Sequence, residues 1–175
     1  MCNKSKKVYI ISGPAGVGKS TVSKKLVRKL SHSAYISGDY ISHMHINGRE
    51  KPWESKTETS LIWTNILSLT QNFLDFNNDV VIDYVTFPTE VKWLKENLNS
   101  MDVSVYYAVL WSDKDTLLRR DQLRNTEDRM GERCSILMNE FMGSGLEDRY
   151  ILDTSEKTIE FIIEQILYNQ NYKLI

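Results

Sequence analysis

The sequence predicts a three-layer α/β/α fold around a five-stranded parallel sheet. Three observations carry that prediction. Short apolar runs alternate with longer amphipathic stretches along the chain. The runs are nearly continuous in Val, Ile and Tyr, the pattern of strands buried on both faces. The chain has 175 residues, 41% hydrophobic and 26% charged, enough for one core and ordinary for a globular domain.

The elements follow in order. "KVYIIS" (7–12) reads as a buried strand. "GKSTVSKKLVRKL" (18–30) sets Val22, Leu26, Val27 and Leu30 on one helical face. "SAYIS" (33–37) is a second strand, ended by Asp39 in "ISGDYI". "ETSLIWTNILSLTQNFLDF" (58–76) is a long helix with Leu61, Ile62, Ile66, Leu69 and Phe73 expected inward. "DVVIDYV" (79–85) is strand three, followed by a helix with Pro88 in its first turn. "VSVYYAVLW" (103–111) is strand four, and Asp113 is a fitting N-cap for the next helix. "ERCSILMNEFM" is helical, ended by Gly143 or Gly145. "RYILDT" is strand five and "SEKTIEFIIEQILYN" the closing helix. No repeat or Gly/Pro/Ser-rich linker divides the chain, so residues 1–175 read as one domain.

Composition removes several classes. Net charge is -1, from 22 basic and 23 acidic residues, so no broad footprint for duplex nucleic acid is expected. Cys2 and Cys134 lie far apart, which fits a reducing cytoplasm better than a disulfide framework. The apolar run "VYII" is too short for a leader, and no stretch approaches a membrane span.

The chemistry starts at "GPAGVGKST". Gly13-Pro14-Ala15-Gly16-Val17-Gly18-Lys19-Ser20 fits G-x-x-x-x-G-K-[ST] without a mismatch, and Thr21 follows. Glycines let the backbone curl so that its N–H groups point at phosphate oxygens. The helix beginning near Gly18 adds its positive end. Lys19 reaches the β and γ phosphates of a bound nucleotide, and the Ser20 hydroxyl can ligate Mg2+. The strand before and helix after supply the expected context. A GTPase would need N/T-K-x-D after a strand, and Ser112-Asp113-Lys114-Asp115 has the wrong spacing. An AAA-type assembly ATPase normally adds a helical domain, for which this length leaves little room.

These motifs resemble the small P-loop kinases: nucleoside monophosphate kinases, shikimate and gluconate kinases, and chloramphenicol phosphotransferase. The similarity runs over nearly the whole chain and is greatest to gluconate-kinase-like bacterial proteins. It implies a P-loop NTPase fold with a helical lid, about residues 119–134. It also implies that Asp39 faces the acceptor hydroxyl, where a carboxylate can take or orient the proton. The bland reading of Asp39 is an N-cap for a helix starting at Tyr40. Asp83, ending "VVID", matches the Walker-B position that holds Mg2+; the two aspartates could exchange roles. "RRDQLRNTEDRMGERC" resembles the lid, with Gly131 as hinge, and Arg120, Arg124 and Arg129 are its candidates to meet the triphosphate. Asp153, Thr154 and Ser155 are similar to the segment beside adenine.

The acceptor is expected near "HMHINGREKPWES", with His43, Arg49 and Trp53 as contacts. Gly38-Asp39 and Arg49…Pro52-Trp53 echo the gluconate kinase pattern, but its paired aspartates are missing. "FPTE" (87–90) stands where monophosphate kinases carry Phe-Pro-Arg, so a nucleotide-clasping arginine is replaced by Thr89 or Glu90. The resulting expectation is a cytoplasmic, ATP- and Mg2+-dependent kinase, monomer or homodimer. It would act on a hydroxyl of a small molecule such as a sugar, sugar acid or antibiotic. The rivals are a nucleic-acid-end or toxin-like kinase, and a nucleotide-binding regulator without an acceptor.

Overall fold

The computed structural model describes residues 5–123, 126 and 129–175. Five strands form one parallel sheet: β1 (Lys6–Ser12), β2 (Ser33–Ser37), β3 (Asp79–Asp83), β4 (Val103–Trp111) and β5 (Ile151–Asp153). Their spatial order is β2-β3-β1-β4-β5. The helices are α1 (Lys19–Val27), α2 (Gly38–Met44), α3 (Lys56–Asp75), α4 (Pro88–Asn97), α5 (Lys114–Gln122), α6 (Arg133–Gly143) and α7 (Ile159–Tyr168). The predicted fold class is the observed one.

The period-two geometry of the strands divides the core. Val8 and Ile10 of β1 pack with Ile62 and Ile66 of α3 and Leu94 of α4 on one face. Tyr9 and Ile11 pack with Val22 and Leu26 of α1 and Ile162, Ile163 and Ile166 of α7 on the other. Each fully buried aliphatic side chain contributes roughly 1.5–3 kcal/mol relative to exposure. Both faces are covered, which is why the strands lack polar alternation.

Chain order reverses across β1, whose neighbours are β3 and β4. Such a switch point opens a crevice at the carboxyl ends of the strands. The register brings those ends level: Asp83 of β3 lies beside Ile11 of β1 and Ser37 of β2.

Two expectations need correction. On α3, Ile62 and Ile66 are buried, but Leu61, Leu69 and Phe73 are 44%, 37% and 37% exposed. Trp63, Thr70 and Leu74 turn inward instead. Apolar residues occur around this helix, so periodicity alone admits two faces; Trp63 reaching the Tyr84 ring, 5.9 Å between centroids, marks the chosen one. β3 stops at Asp83, and β5 spans three residues because Asp148–Tyr150 before it form a 3-10 turn. The α6 helix ends at Gly143, one of the two ends expected, and Gly145 follows in the left-handed region at φ 75°.

Candidate functional site

The loop from Gly13 to Gly18 joins β1 to α1. Gly13 has φ 133°, and a Cβ there would sit 2.2 Å from the Leu110 carbonyl oxygen. Only glycine lets the loop lie against β4 at that point. Gly18, at φ 99°, occupies the N-cap of α1 and offers no side-chain acceptor, so that helix start has no side-chain cap. Lys19 Nζ donates to the Gly13 and Pro14 carbonyls at 2.9 and 3.0 Å, folding its ammonium back across the loop. A positive N-terminus, a curled glycine backbone and an ammonium thus converge where a triphosphate fits. Pro14, Ala15 and Val17 are buried under the loop, while Ser20 and Thr21 are exposed on the first turn of α1.

Asp83 is 4% exposed at the end of β3. Tyr35 Oη donates to its Oδ2 at 2.6 Å, and the Ser20 and Ser37 hydroxyls lie within reach of the same phenol. Burial raises the Tyr35 pKa above its ordinary range, and the Asp83 carboxylate raises it further, so the phenol stays a donor. One buried carboxylate and one hydroxyl, tied through one phenol beside the phosphate loop, form a hard oxygen set. That suits Mg2+, which takes one or two protein oxygens and completes its shell with phosphates and water. Among the described residues no group of three or more His, Cys, Asp or Glu forms an independent metal cage.

The segment after Asp83 is fixed by buried hydroxyls. Ser12 Oγ donates to the Thr86 carbonyl at 2.9 Å and accepts from Thr86 N at 2.8 Å. Tyr107 Oη donates to the same carbonyl at 2.7 Å. Glu90 Oε2 then accepts from Phe87 N at 2.9 Å, closing the first turn of α4. The residue before the phosphate loop therefore also positions the loop after Asp83.

Asp39 is not the end of β2, and it is not a cap. β2 ends at Ser37, whose hydroxyl accepts from Tyr40 N at 3.3 Å, and Asp39 sits in the first turn of α2. The hydroxyl of Ser37 holds the capping position instead. Gly38 is required here because a Cβ would lie 2.2 Å from the Tyr84 ring. That close approach sets α2 against the loop following Asp83.

On the acceptor side, His43 Nδ1 meets the Asp39 carbonyl at 2.6 Å, a contact within α2. Arg49 Nε donates to the Ser42 carbonyl and hydroxyl at 3.0 Å each. His45, not His43, reaches inward: its Nδ1 lies 2.8 Å from Oε2 of the buried Glu58. Trp53 is 52% exposed, with the Arg133 guanidinium 5.3 Å above its ring. Trp53 lines a cleft of about 520 Å3 together with Trp63 and Trp93.

Helices α5 and α6 flank the segment read from the sequence as a lid. Arg120 Nη1 approaches the Val17 carbonyl at 3.5 Å, so it braces the phosphate loop instead of lying over it. The buried Asp121 accepts from Met130 N and Gly131 N, the latter at 2.8 Å, and gathers the two ends of the segment. Arg129 is exposed just before Met130, and Arg124 lies outside the described residues. Thr154 donates from both N and Oγ1 to the Trp111 carbonyl, and Asp153 accepts from Ser155, so this turn is held by its own side chains. Tyr35, His45, Glu58 and Trp93 were missed in the sequence. A tyrosine in an apolar strand reads as core, and Glu58 reads as an exposed helix residue until packing turns it inward.

No helix among the described residues is long and apolar enough to cross a membrane. The profile of the family described as "AAA domain" matches residues 8–136, from β1 into α6. Over 97% of each chain the sequence is 27% identical to a guanylate kinase of Mycoplasmoides gallisepticum. A gluconokinase from Sinorhizobium meliloti superposes with a TM-score of 0.63 at 17% identity, covering 93% of this chain and 90% of that one. The Mycobacterium tuberculosis APS kinase, solved with AMPPNP and APS, does so with a TM-score of 0.64 at 14% identity, covering 93% and 96%. At these identities the two structures establish a shared fold. The chain belongs to the AAA domain family and is a small P-loop protein of the kinase type.

Proposed function

We propose that the chain transfers the γ-phosphate of ATP to a hydroxyl of a small molecule, with Mg2+ as cofactor. The observation that carries this reading is the convergence at one sheet edge of Lys19 across the phosphate loop, Asp83 bonded to Tyr35 beside Ser20, and Asp39 on the adjoining helix turn. Backbone N–H groups of residues 13–21 and the Lys19 ammonium hold the phosphates. Ser20 and Asp83 hold the cation, which neutralises phosphate charge when bound. The acceptor oxygen bonds to the γ-phosphorus as the bond to the β–γ bridging oxygen breaks. The electron pair leaves with ADP and the hydroxyl proton passes to the Asp39 carboxylate. Arg120 acts through the loop it braces, while Arg124 and Arg129 bring charge from the lid. Catalysis here is mostly positioning and charge compensation.

The guanylate kinase relative favours a second reading, in which a nucleoside monophosphate is the acceptor. Against it stands the segment after Asp83, where Glu90 closes the first turn of α4 and residues 84–90 hold no arginine. ADP release over a panel of sugars, sugar acids, nucleosides, hydroxylated antibiotics and GMP separates the two. Asp39→Asn is expected to bind ATP normally and to slow transfer roughly 10²–10⁴-fold. An unchanged rate removes the role given to Asp39.

A further inference from the structure

No role in the proposed phosphotransfer falls on the outward side of α3. From Thr59 to Leu74 this helix holds no charged residue, although the chain is 26% charged. Leu61, Asn65, Leu69 and Phe73 recur every fourth residue and are exposed, and Phe76 extends the row at 82% exposure. Ser60, Thr64 and Ser68 form an exposed row of short side chains beside it. A helix on the surface of a monomer ordinarily carries its charged residues on this side. The polar groups present are already engaged. Thr64 Oγ1 and Ser68 Oγ donate to the Ser60 and Thr64 carbonyls at 2.9 Å each, and Asn65 Nδ2 donates to the Leu61 carbonyl at 3.0 Å. Covering them costs less than covering side chains that depend on water.

The missing charge says what covers the face. Two copies of one surface bring like charges together, so a self-contact needs a face without charge. A contact with a different partner has no such need and gains from opposite charge. A membrane-surface helix would carry lysines and arginines along its flank, and this stretch has none. The arrangement also suits a two-fold axis. Leu61 and Leu69 stand equally far from Asn65 along the row. An antiparallel pairing sets Leu61 of one protomer against Leu69 of its partner, twice, with Asn65 beside its own copy on the axis. The short side chains alongside let the two backbones approach. The 20 residues of α3 make a strip about 30 Å long and about 10 Å wide. A standard interface takes about 800 Å2 from each partner, so a contact centred on this strip belongs to the small, reversible class.

We propose that two copies of the chain pair through the outward face of α3, antiparallel about a two-fold axis at Asn65. The pairing is independent of the phosphotransferase reading, and its test needs no nucleotide.

Sedimentation equilibrium of the whole chain from about 1 to 200 µM reads the mass against concentration. The average is expected to climb from 20.4 kDa toward twice that value. Asn65→Arg and Asn65→Glu each set a charge against its own copy, and each should weaken association about tenfold or more. Mixed in equal amounts, the two variants should recover the dimer, because opposite charges then meet on the axis. Position 65 is exposed and both replacements are better helix formers than asparagine, so circular dichroism should show the fold intact. Asn65→Cys should cross-link to itself under mild oxidation, above the background set by the unsubstituted chain. A mass of one chain at the highest concentration overturns the proposal. So does a dimer that both charged variants leave intact, a mixture of them that stays monomeric, or a dimer in which Asn65→Cys cross-links no more than background.

Discussion

The proposed donor and acceptor sides of the crevice are built on different principles. Around Gly13–Lys19 the ligand-facing groups are backbone amides whose direction is set by glycine φ values and by contact with the Leu110 carbonyl. Around Trp53, Trp63 and Trp93 they are side chains brought together from α3, α4 and the segment before α3. A backbone site tolerates change poorly and recognises one ligand shape. A side-chain site can be altered one residue at a time without disturbing the sheet. Donor-side substitutions should therefore remove activity outright, and acceptor-side substitutions should grade it.

The largest effect that comparison predicts is at Lys19. Lys19→Ala should lower ATP turnover by roughly 10²–10³-fold, the scale for losing one charged donor at a reacting phosphate. Thermal unfolding should barely move, because the lost bonds join a half-buried ammonium to carbonyls of its own loop. Normal turnover in this variant would break the donor-side assignment.

This division also explains how much was legible beforehand. The phosphate loop could be read because its motif states backbone requirements: glycines at fixed offsets, then lysine and a hydroxyl, between a strand and a helix. The sheet could be read because strands buried on both faces show continuous apolar runs. The acceptor side was only half legible. Trp93 reaches the cleft and Glu58 is buried through tertiary packing, and nothing in their local sequence marks either. The face of α3 was misread for the same reason: local periodicity offered two solutions and Tyr84, supplied by a distant segment, chose between them. Asp39 was expected at a strand end or as a cap, and its place in a helix turn depended on Ser37 taking the cap.

A middle-sized effect is expected at Tyr35, which belongs to the donor side although it is a side chain. Its phenol orients the Asp83 carboxylate at 2.6 Å. Partners that orient a metal ligand typically contribute tenfold to a hundredfold in metal affinity. Tyr35→Phe should raise the Mg2+ concentration for half-maximal turnover roughly tenfold, and calorimetry should show ATP binding in EDTA unchanged. Equal losses with and without Mg2+ would make Tyr35 a packing residue and blur the line between the two sides.

The smallest effect tests whether the lid belongs to either side. Arg133 stands at the start of α6, bonds twice to Glu140, and lies over the Trp53 ring at 5.3 Å. It thus connects the lid helix to the Trp53 cleft on the proposed acceptor side, with no bond to the phosphate loop among those described. A cation over an indole at a partly exposed position contributes about 0.5–1 kcal/mol. Losing it should loosen Trp53 more than it disturbs the helix, since Glu140 is itself solvated. Arg133→Gln is therefore expected to raise the acceptor KM by a factor of roughly 2–5 while leaving kcat and the ATP KM unchanged. That split assigns α6 to the acceptor side. A fall in kcat with constant acceptor KM would instead tie Arg133 to the transferring phosphate, and the lid would then serve the donor.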